Sequence, residues 1–469
     1  ILATKHNLIY LKFCHVLKRN TLIFFLISLL IIGCKDETTT TSTIHDPSKP
    51  VQITGFEPTE GGARTRLYIQ GNNFGSNTDD IKVKIGGLPA KVIGSNGNII
   101  YCMVPFKASE GTIEVSIKGQ DPITAAEKFN YVSKTIVGTV AGYVDETGKV
   151  KVQDGSFKEA GFSGPGYMTV DPKDPNVLYV VDGNRYGGTS IRVLDLKKKE
   201  VSTLLTKGQG NWESIRTIDF TLSGDTMLIT NQQDTENAIG ISYTTRANGF
   251  KKPQPLVIGR KIVSVAVHPN GELYYVKRKT GELIRFDMQT KEEKVLYALG
   301  DGEPMFFIFM HPSGNYAYIS FSQWKTILKI PYDWKNKTLL TASILCGQQK
   351  QEGWLDGQGT NAKLGNPAQG VFIKNEQYIK EGKDDIYDFY FTDSSIHCIR
   401  YVTPEGFVHT YAGRGSQGVN NNPNGYVDGD LRQEARFNYP FGIHYDEVNK
   451  IFYIGDIENY RIRNIAKDE

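Results

Sequence analysis

Three stretches of this chain share one internal register, and that repetition constrains the fold more than any other feature. Ala160-Gly161-Phe162-Ser163-Gly164-Pro165, Ala362-Lys363-Leu364-Gly365-Asn366-Pro367 and Ala435-Arg436-Phe437-Asn438-Tyr439-Pro440 have the same spacing, and Asp-Gly precedes each (Asp154-Gly155, Asp356-Gly357, Asp428-Gly429). A short apolar strand follows, then a turn, then a second strand such as Leu178-Tyr179-Val180-Val181-Asp182 or Ile451-Phe452-Tyr453-Ile454-Gly455-Asp456. A third follows, as in Ile191-Arg192-Val193 or Arg461-Ile462-Arg463. Three further units lack the proline signature but keep the strands: Ile218-Asp219-Phe220 with Met227-Leu228-Ile229, Val265-Ala266-Val267 with Leu273-Tyr274-Tyr275, and Ile308-Phe309-Met310 with Tyr316-Ala317-Tyr318. The repeats therefore number six.

Six units over residues 135–469 average about 56 residues, longer than the ~40–50 of compact propeller repeats, so several loops are extended. Glycine is plentiful, tyrosine and phenylalanine are abundant, and long amphipathic helical stretches are hard to find, which reads as all-β. The repeat pattern resembles the NHL-repeat family of six-bladed β-propellers over about the last seven tenths of the chain. That resemblance implies the fold and leaves the function open, because propellers carry many activities. The last repeat runs out of chain at Glu469 soon after its third strand. Val137-Gly138-Thr139-Val140-Ala141-Gly142 matches the outer strand Val408-His409-Thr410-Tyr411-Ala412-Gly413 and precedes the first blade. It is expected to close the ring by pairing with the last blade, removing an exposed edge.

Ahead of the repeats, residues 50–133 alternate apolar and polar residues in short runs broken by Gly, Pro and Asn, the pattern of a small antiparallel sandwich. Phe56-Glu57-Pro58, Gly61-Gly62, Ile69-Gln70-Gly71-Asn72-Asn73-Phe74-Gly75, Gly86-Gly87 and Val104-Pro105 occur in an order that resembles the IPT/TIG immunoglobulin-like family. Gly71 and Gly75 are expected in turn conformations, with Phe74 plugging one end of the sandwich. A spacer role is expected of this domain, with direct ligand binding as the alternative.

The formal net charge of +3 includes four cations and no acid in residues 1–33, leaving −1 for the rest, so nothing recruits a nucleic-acid backbone. Residues 1–33 read as a signal peptide: Lys18-Arg19, then an apolar run from Leu22 to Ile32 that is short for a bilayer span. Ile31-Ile32-Gly33-Cys34 resembles the lipobox of bacterial lipoproteins, which implies acylation of Cys34 and attachment to the membrane through the lipid alone. Ile1 opens the sequence and Met103 is its first methionine, so translation is expected to start inside the leader, at Leu17. Lys35-Asp36-Glu37 resembles the signal that sends lipoproteins of one phylum of anaerobic Gram-negative bacteria to the outer face of the outer membrane. Residues 34–49, with Thr38 to Thr43, Pro47 and Pro50, are expected to form an extended tether. Cys102, Cys346 and Cys398 lie far apart and suggest buried free thiols.

No residue is expected to be catalytic, and neither a metal nor any other cofactor is expected. In the aligned innermost strands the apolar row Met168, Ile218, Val265, Ile308, Val371 and Ile443 is expected to pack between blades. The adjacent row (Thr169, Asp219, Ala266, Phe309, Phe372, His444) is expected nearer the central channel, where Asp219 and His444 are the only titratable members. One Asp and one His complete neither the three-histidine site of related amidating lyases nor the carboxylate and amide site of lactonases. Asp428-Gly429-Asp430 could hold a calcium ion, but it lacks the ligand spacing of a calcium loop, so the signal is weak. The loops before the innermost strands, and those between second and third strands, are expected to share one face. They carry the candidate ligand-binding residues Arg185, Tyr186, Trp212, Trp324, Trp354 and Tyr460. Aromatic faces with nearby amides and guanidinium groups suit sugar rings. The sequence is therefore read as a surface lipoprotein with a non-catalytic propeller that binds an oligo- or polysaccharide beside an outer-membrane transporter. A protein-interaction platform is the alternative, and an axial-metal lyase or lactonase the enzymatic outsider.

Overall fold

The computed structural model describes residues 43–108, 110–300, 305–415 and 423–468, and it divides into two compact units between Tyr131 and Val132. Cys34 and most of the expected tether lie outside the described residues.

The first unit is a sandwich of short antiparallel strands. Gln52–Glu57 pairs with Arg66–Asn72, which pairs with Ile99–Met103, and Ile81–Ile85 pairs with Ile113–Ile117. Strict alternation places Leu67, Ile69, Val83, Ile85, Val115 and Ile117 inside. Phe74 is fully buried among them. Gly75 takes the expected left-handed conformation (φ +76°), but Gly71 does not. Gly71 lies within a strand, where a Cβ would come 2.0 Å from the Gln52 carbonyl and 2.4 Å from the Phe74 ring, so close approach requires the glycine. The end of the expected tether is also not extended. His45 is buried, and Asn73 accepts from the Asp46 N–H and donates to the Asp46 and Lys49 carbonyls, which docks residues 45–49 on the domain.

The second unit is a ring of six antiparallel blades. From the axis outward, blade 1 comprises Pro165–Asp171, Asp174–Asn184, Gly187–Asp195 and Glu200–Thr206, and blade 2 comprises Ile215–Phe220, Thr226–Asn231, Ile239–Thr245 and Gln254–Ile258. Blade 3 runs from Ile262–Val267 to Glu293–Ala298, blade 4 from Phe306–Met310 to Ser343–Cys346, and blade 5 from Pro367–Lys374 to Phe407–Gly413. Blade 6 holds Pro440–Asp446, Ile451–Asp456 and Arg461–Lys467, and its fourth strand is the N-terminal Thr135–Ala141, antiparallel to Arg461–Lys467.

The repeated Asp-Gly has a structural cause. In blades 1, 5 and 6 a fully buried arginine of the third strand reaches two carboxylates, that of the Asp-Gly pair and one at the end of the second strand. Arg192 lies 2.9 Å from Asp154 and 3.1 Å from Asp182, and Arg400 lies 2.7 Å from Asp356 and 3.2 Å from Asp393. Arg463 bridges Asp428 and Asp456 in the same way. The first carboxylate of each set also accepts from a threonine hydroxyl of the outermost strand: Thr203, Thr410 or Thr139. Asp182, Asp393 and Asp456 accept the Gly164, Gly365 and Asn438 N–H groups, which pins the loop that leads into the innermost strand. Asp430, next after the Asp-Gly pair of blade 6, accepts the Arg432 and Gln433 N–H groups. Cys102, Cys346 and Cys398 are buried free thiols, and burial pushes the first two up to about 12.

Candidate functional site

The innermost strands approach each other at the axis with aromatic side chains at their leading ends. Tyr167 of blade 1 and Phe307 of blade 4 stack 6.5 Å apart across the ring, and Phe307 meets Phe441 of blade 6 edge-on at 5.5 Å. Gln369 of blade 5 donates to the Met168 carbonyl and accepts the Met168 and Ile443 N–H groups, linking blades 5, 6 and 1. Rings and amide together obstruct the axis. Above this floor a cavity of about 590 Å³ opens, lined by residues from all six blades. Its volume falls within the ~300–1,000 Å³ of small-ligand pockets.

Both classes of loop expected on one face contribute to this cavity. Turns between second and third strands supply Arg185 and Tyr186, Gln232, Arg278, and Gln323 with Lys325; segments entering the innermost strands supply Met305, Asn366 and Tyr439. Arg185 is exposed, with its guanidinium 5.1 Å from the Tyr186 ring centre and 5.7 Å from that of Tyr439. Lys325 pairs with Glu352 at 3.0 Å and reaches Asn366. Ser322 and Ser394 donate to the Pro367 and Pro440 carbonyls. Two polar atoms in the lining are buried without a hydrogen-bond partner: Nε of Arg216 and Oε1 of Gln232. Burial and the nearby Arg278 cation push the Arg216 guanidinium down to about 10, so it remains protonated at neutral pH.

Of the six candidate ligand-binding residues, the structure brings Arg185 and Tyr186 to this pocket. Trp212 is 1% exposed; it belongs to the hydrophobic core, and its indole N–H donates to Ser242 Oγ at 3.0 Å. The expectation that it presents a ring to solvent is therefore corrected: the loop folds inward because that ring fills space beside the first two blades. Trp354 is half-buried, donating to Thr410 Oγ1 with the Arg414 guanidinium 4.3 Å over its ring, so that face is already covered. Trp324 stacks on Phe321 at 4.3 Å, and Tyr460 is half-buried in a turn; neither lines the pocket.

Asp219 and His444 also lie outside the pocket lining. Asp219 accepts the Phe220 N–H and the Val267 N–H of the next blade, stapling two innermost strands, and burial raises its carboxyl to about 7. Burial lowers the His444 imidazole to about 4. The buried charge that does face the pocket, Arg216, precedes both in strand order and escaped the row alignment. A break in strand register separates Ile215 from Ile218, and similar breaks occur at the start of the innermost strands of blades 1, 3, 5 and 6. Such an irregularity shifts the alternation of faces. Among the described residues no group of three or more His, Cys, Asp or Glu side chains is arranged to hold a metal ion.

A family model for the IPT/TIG domain matches residues 50–131. Among solved structures, an auxiliary nutrient binding protein from Bacteroides thetaiotaomicron is 44% identical, with 91% of this chain and 100% of that chain covered and a TM-score of 0.78. An auxiliary nutrient binding protein from Bacteroides ovatus is 37% identical over 91% of this chain and 100% of its own, with a TM-score of 0.69. A third protein, from Bacteroides thetaiotaomicron and provisionally described as a phosphatase, is 33% identical over 91% and 99%, with a TM-score of 0.70. No curated protein matches the chain.

Proposed function

Because this chain belongs to the family that includes these Bacteroides auxiliary nutrient binding proteins, we propose that it binds a nutrient in the axial pocket of its propeller and performs no chemistry on it. In this reading Cys34 carries the lipid, the protein is displayed on the outer membrane, the IPT/TIG domain is a spacer, and the bound oligosaccharide is handed to an outer-membrane transporter. The observation that carries the proposal is the pocket itself. It is closed at its floor, contributed to by all six blades, and walled by tyrosine rings, amides and guanidinium groups. Such a surface can cover the apolar face of a sugar ring while pairing with its hydroxyls.

Hydrolysis of a phosphate ester needs an activated nucleophile or metal at the bond that breaks. The described lining has no His, Cys, Asp or Glu, and its two serine hydroxyls already donate to backbone carbonyls. This arrangement favours binding over the phosphatase description of the third relative.

Calorimetry of the mature chain against a panel of oligosaccharides tests the reading. At least one is expected to bind in the micromolar to millimolar range, about −4 to −8 kcal/mol. Tyr186→Ala is expected to weaken that binding about tenfold with an unchanged melting temperature. No binding across the panel, or binding untouched by Tyr186→Ala, would turn the reading toward a protein partner.

A further inference from the structure

Four arginines of the propeller are almost completely buried, and three are neutralised within the chain. Arg192, Arg400 and Arg463 each sit between two carboxylates and also donate to backbone carbonyls. Arg216 is 3% exposed and has no carboxylate within ion-pair distance among the described residues. Its Nη2 donates to the Met305 sulfur at 3.5 Å, a weak acceptor, and its Nε has no partner. The Phe307 and Phe441 rings flank its guanidinium at 5.9 and 5.7 Å, and a second cation, Arg278, lies nearby.

Withdrawing a guanidinium from water is expensive unless an opposite charge accompanies it. The other three buried arginines show how this fold meets that need internally. Arg216 instead borders the cavity, whose described lining contains no acid, and Lys325 of that lining is already paired with Glu352. A planar fork with free N–H groups fits a carboxylate, sulfate or phosphate. In the same lining, the unpartnered Oε1 of Gln232 can accept from a donor such as a hydroxyl.

We propose that Arg216 docks the anionic group of an acidic saccharide (a uronate, a sulfate ester or a phosphate ester) with Gln232 accepting one of its hydroxyls. The inference rests on the nutrient-binding reading and narrows it to acidic ligands. Asp301 and Glu303 precede Met305 in the chain and lie outside the described residues, so the test includes them.

The mature chain is titrated calorimetrically with neutral malto-oligosaccharides, oligogalacturonates, a chondroitin-sulfate disaccharide and glucose 6-phosphate. At least one acidic probe is expected to bind at least tenfold more tightly than the neutral ones, and the probe that wins identifies the anion. Arg216→Met is expected to abolish that preference while melting no lower than wild type, because it removes an unpaired buried charge. Arg216→Lys is expected to retain the preference in weakened form. Neutral probes that bind as tightly as acidic ones, with Arg216→Met without effect, would overturn the inference while leaving the nutrient reading standing if Tyr186→Ala still weakens binding. An acidic probe that binds the Asp301→Asn, Glu303→Gln double variant but not wild type would show that the counter-charge belongs to the chain, and would also overturn it.

Discussion

At the scale of single residues, Trp212 and Arg216 stand four positions apart and have opposite fates. The Trp212 ring packs against Gly210 so closely that a Cβ there would lie 2.1 Å from it, and its N–H is satisfied by Ser242. Trp212→Ala would leave a cavity of nearly full ring size, at about 3–5 kcal/mol. It is expected to lower the melting temperature by roughly 5 °C or more and to leave the affinity of the folded fraction for its ligand unchanged. Thermal denaturation and calorimetry on one preparation check both parts. An unchanged melting temperature with lost binding would return Trp212 to the binding surface. Nothing about either residue type alone separates these fates: tryptophan is common at sugar sites and arginine is usually exposed. Burial decides, and burial here depends on which neighbours the fold brings.

Among the elements, the strand Thr135–Ala141 has the largest consequence for its length. It pairs with Arg461–Lys467 across more than three hundred residues of chain, and the Thr139 hydroxyl donates to Asp428, completing the arginine set of blade 6. This explains its likeness to the outer strand of blade 5, where Thr410 makes the same contact with Asp356. Without it, the third strand of blade 6 would present an unpaired edge and Asp428 would lose a donor. A chain lacking residues 135–142 is expected to aggregate or to remain unfolded, which size-exclusion chromatography and a melting curve would reveal. A monomer with the wild-type melting curve would refute the role of this closure. The innermost strands act differently: those of blades 2 and 6 break register at their first residues, and Arg216 and Phe441, which line the pocket, lie within those breaks.

For the whole molecule, the axial floor depends on contacts between blades that are distant in sequence: Tyr167 with Phe307, Phe307 with Phe441, and Gln369 with Met168. Each blade supplies one or a few groups, and the site exists only when the ring is closed. The proposed surface display makes its own demand on the full-length protein in its cell. Cys34→Ala is expected to abolish fatty-acid labelling and to release the protein from the membrane fraction, measured by metabolic labelling and fractionation. Continued labelling would sink the proposed anchor.

The repeat count, the all-β class, the IPT/TIG unit and the closing strand were legible in the sequence, because each rests on local alternation or on a motif repeated in fixed register. Ala-x-apolar-x-x-Pro after Asp-Gly recurs because one set of Asp, Arg and Thr contacts recurs, and such a set leaves the same residues behind wherever it is built. The loops that carry Arg185 and Tyr186 could be assigned to one face for the same reason. The pocket was not legible in that way. Its floor joins residues from blades 1, 4, 5 and 6, and no local pattern records which side chains will meet there. The pocket's buried charge, Arg216, lies within a register break outside the aligned row, and packing took Trp212 out of the surface altogether. Periodicity along a strand determines which residues share a face only while the register is regular; where six strands meet at an axis, only the tertiary structure decides what each face meets.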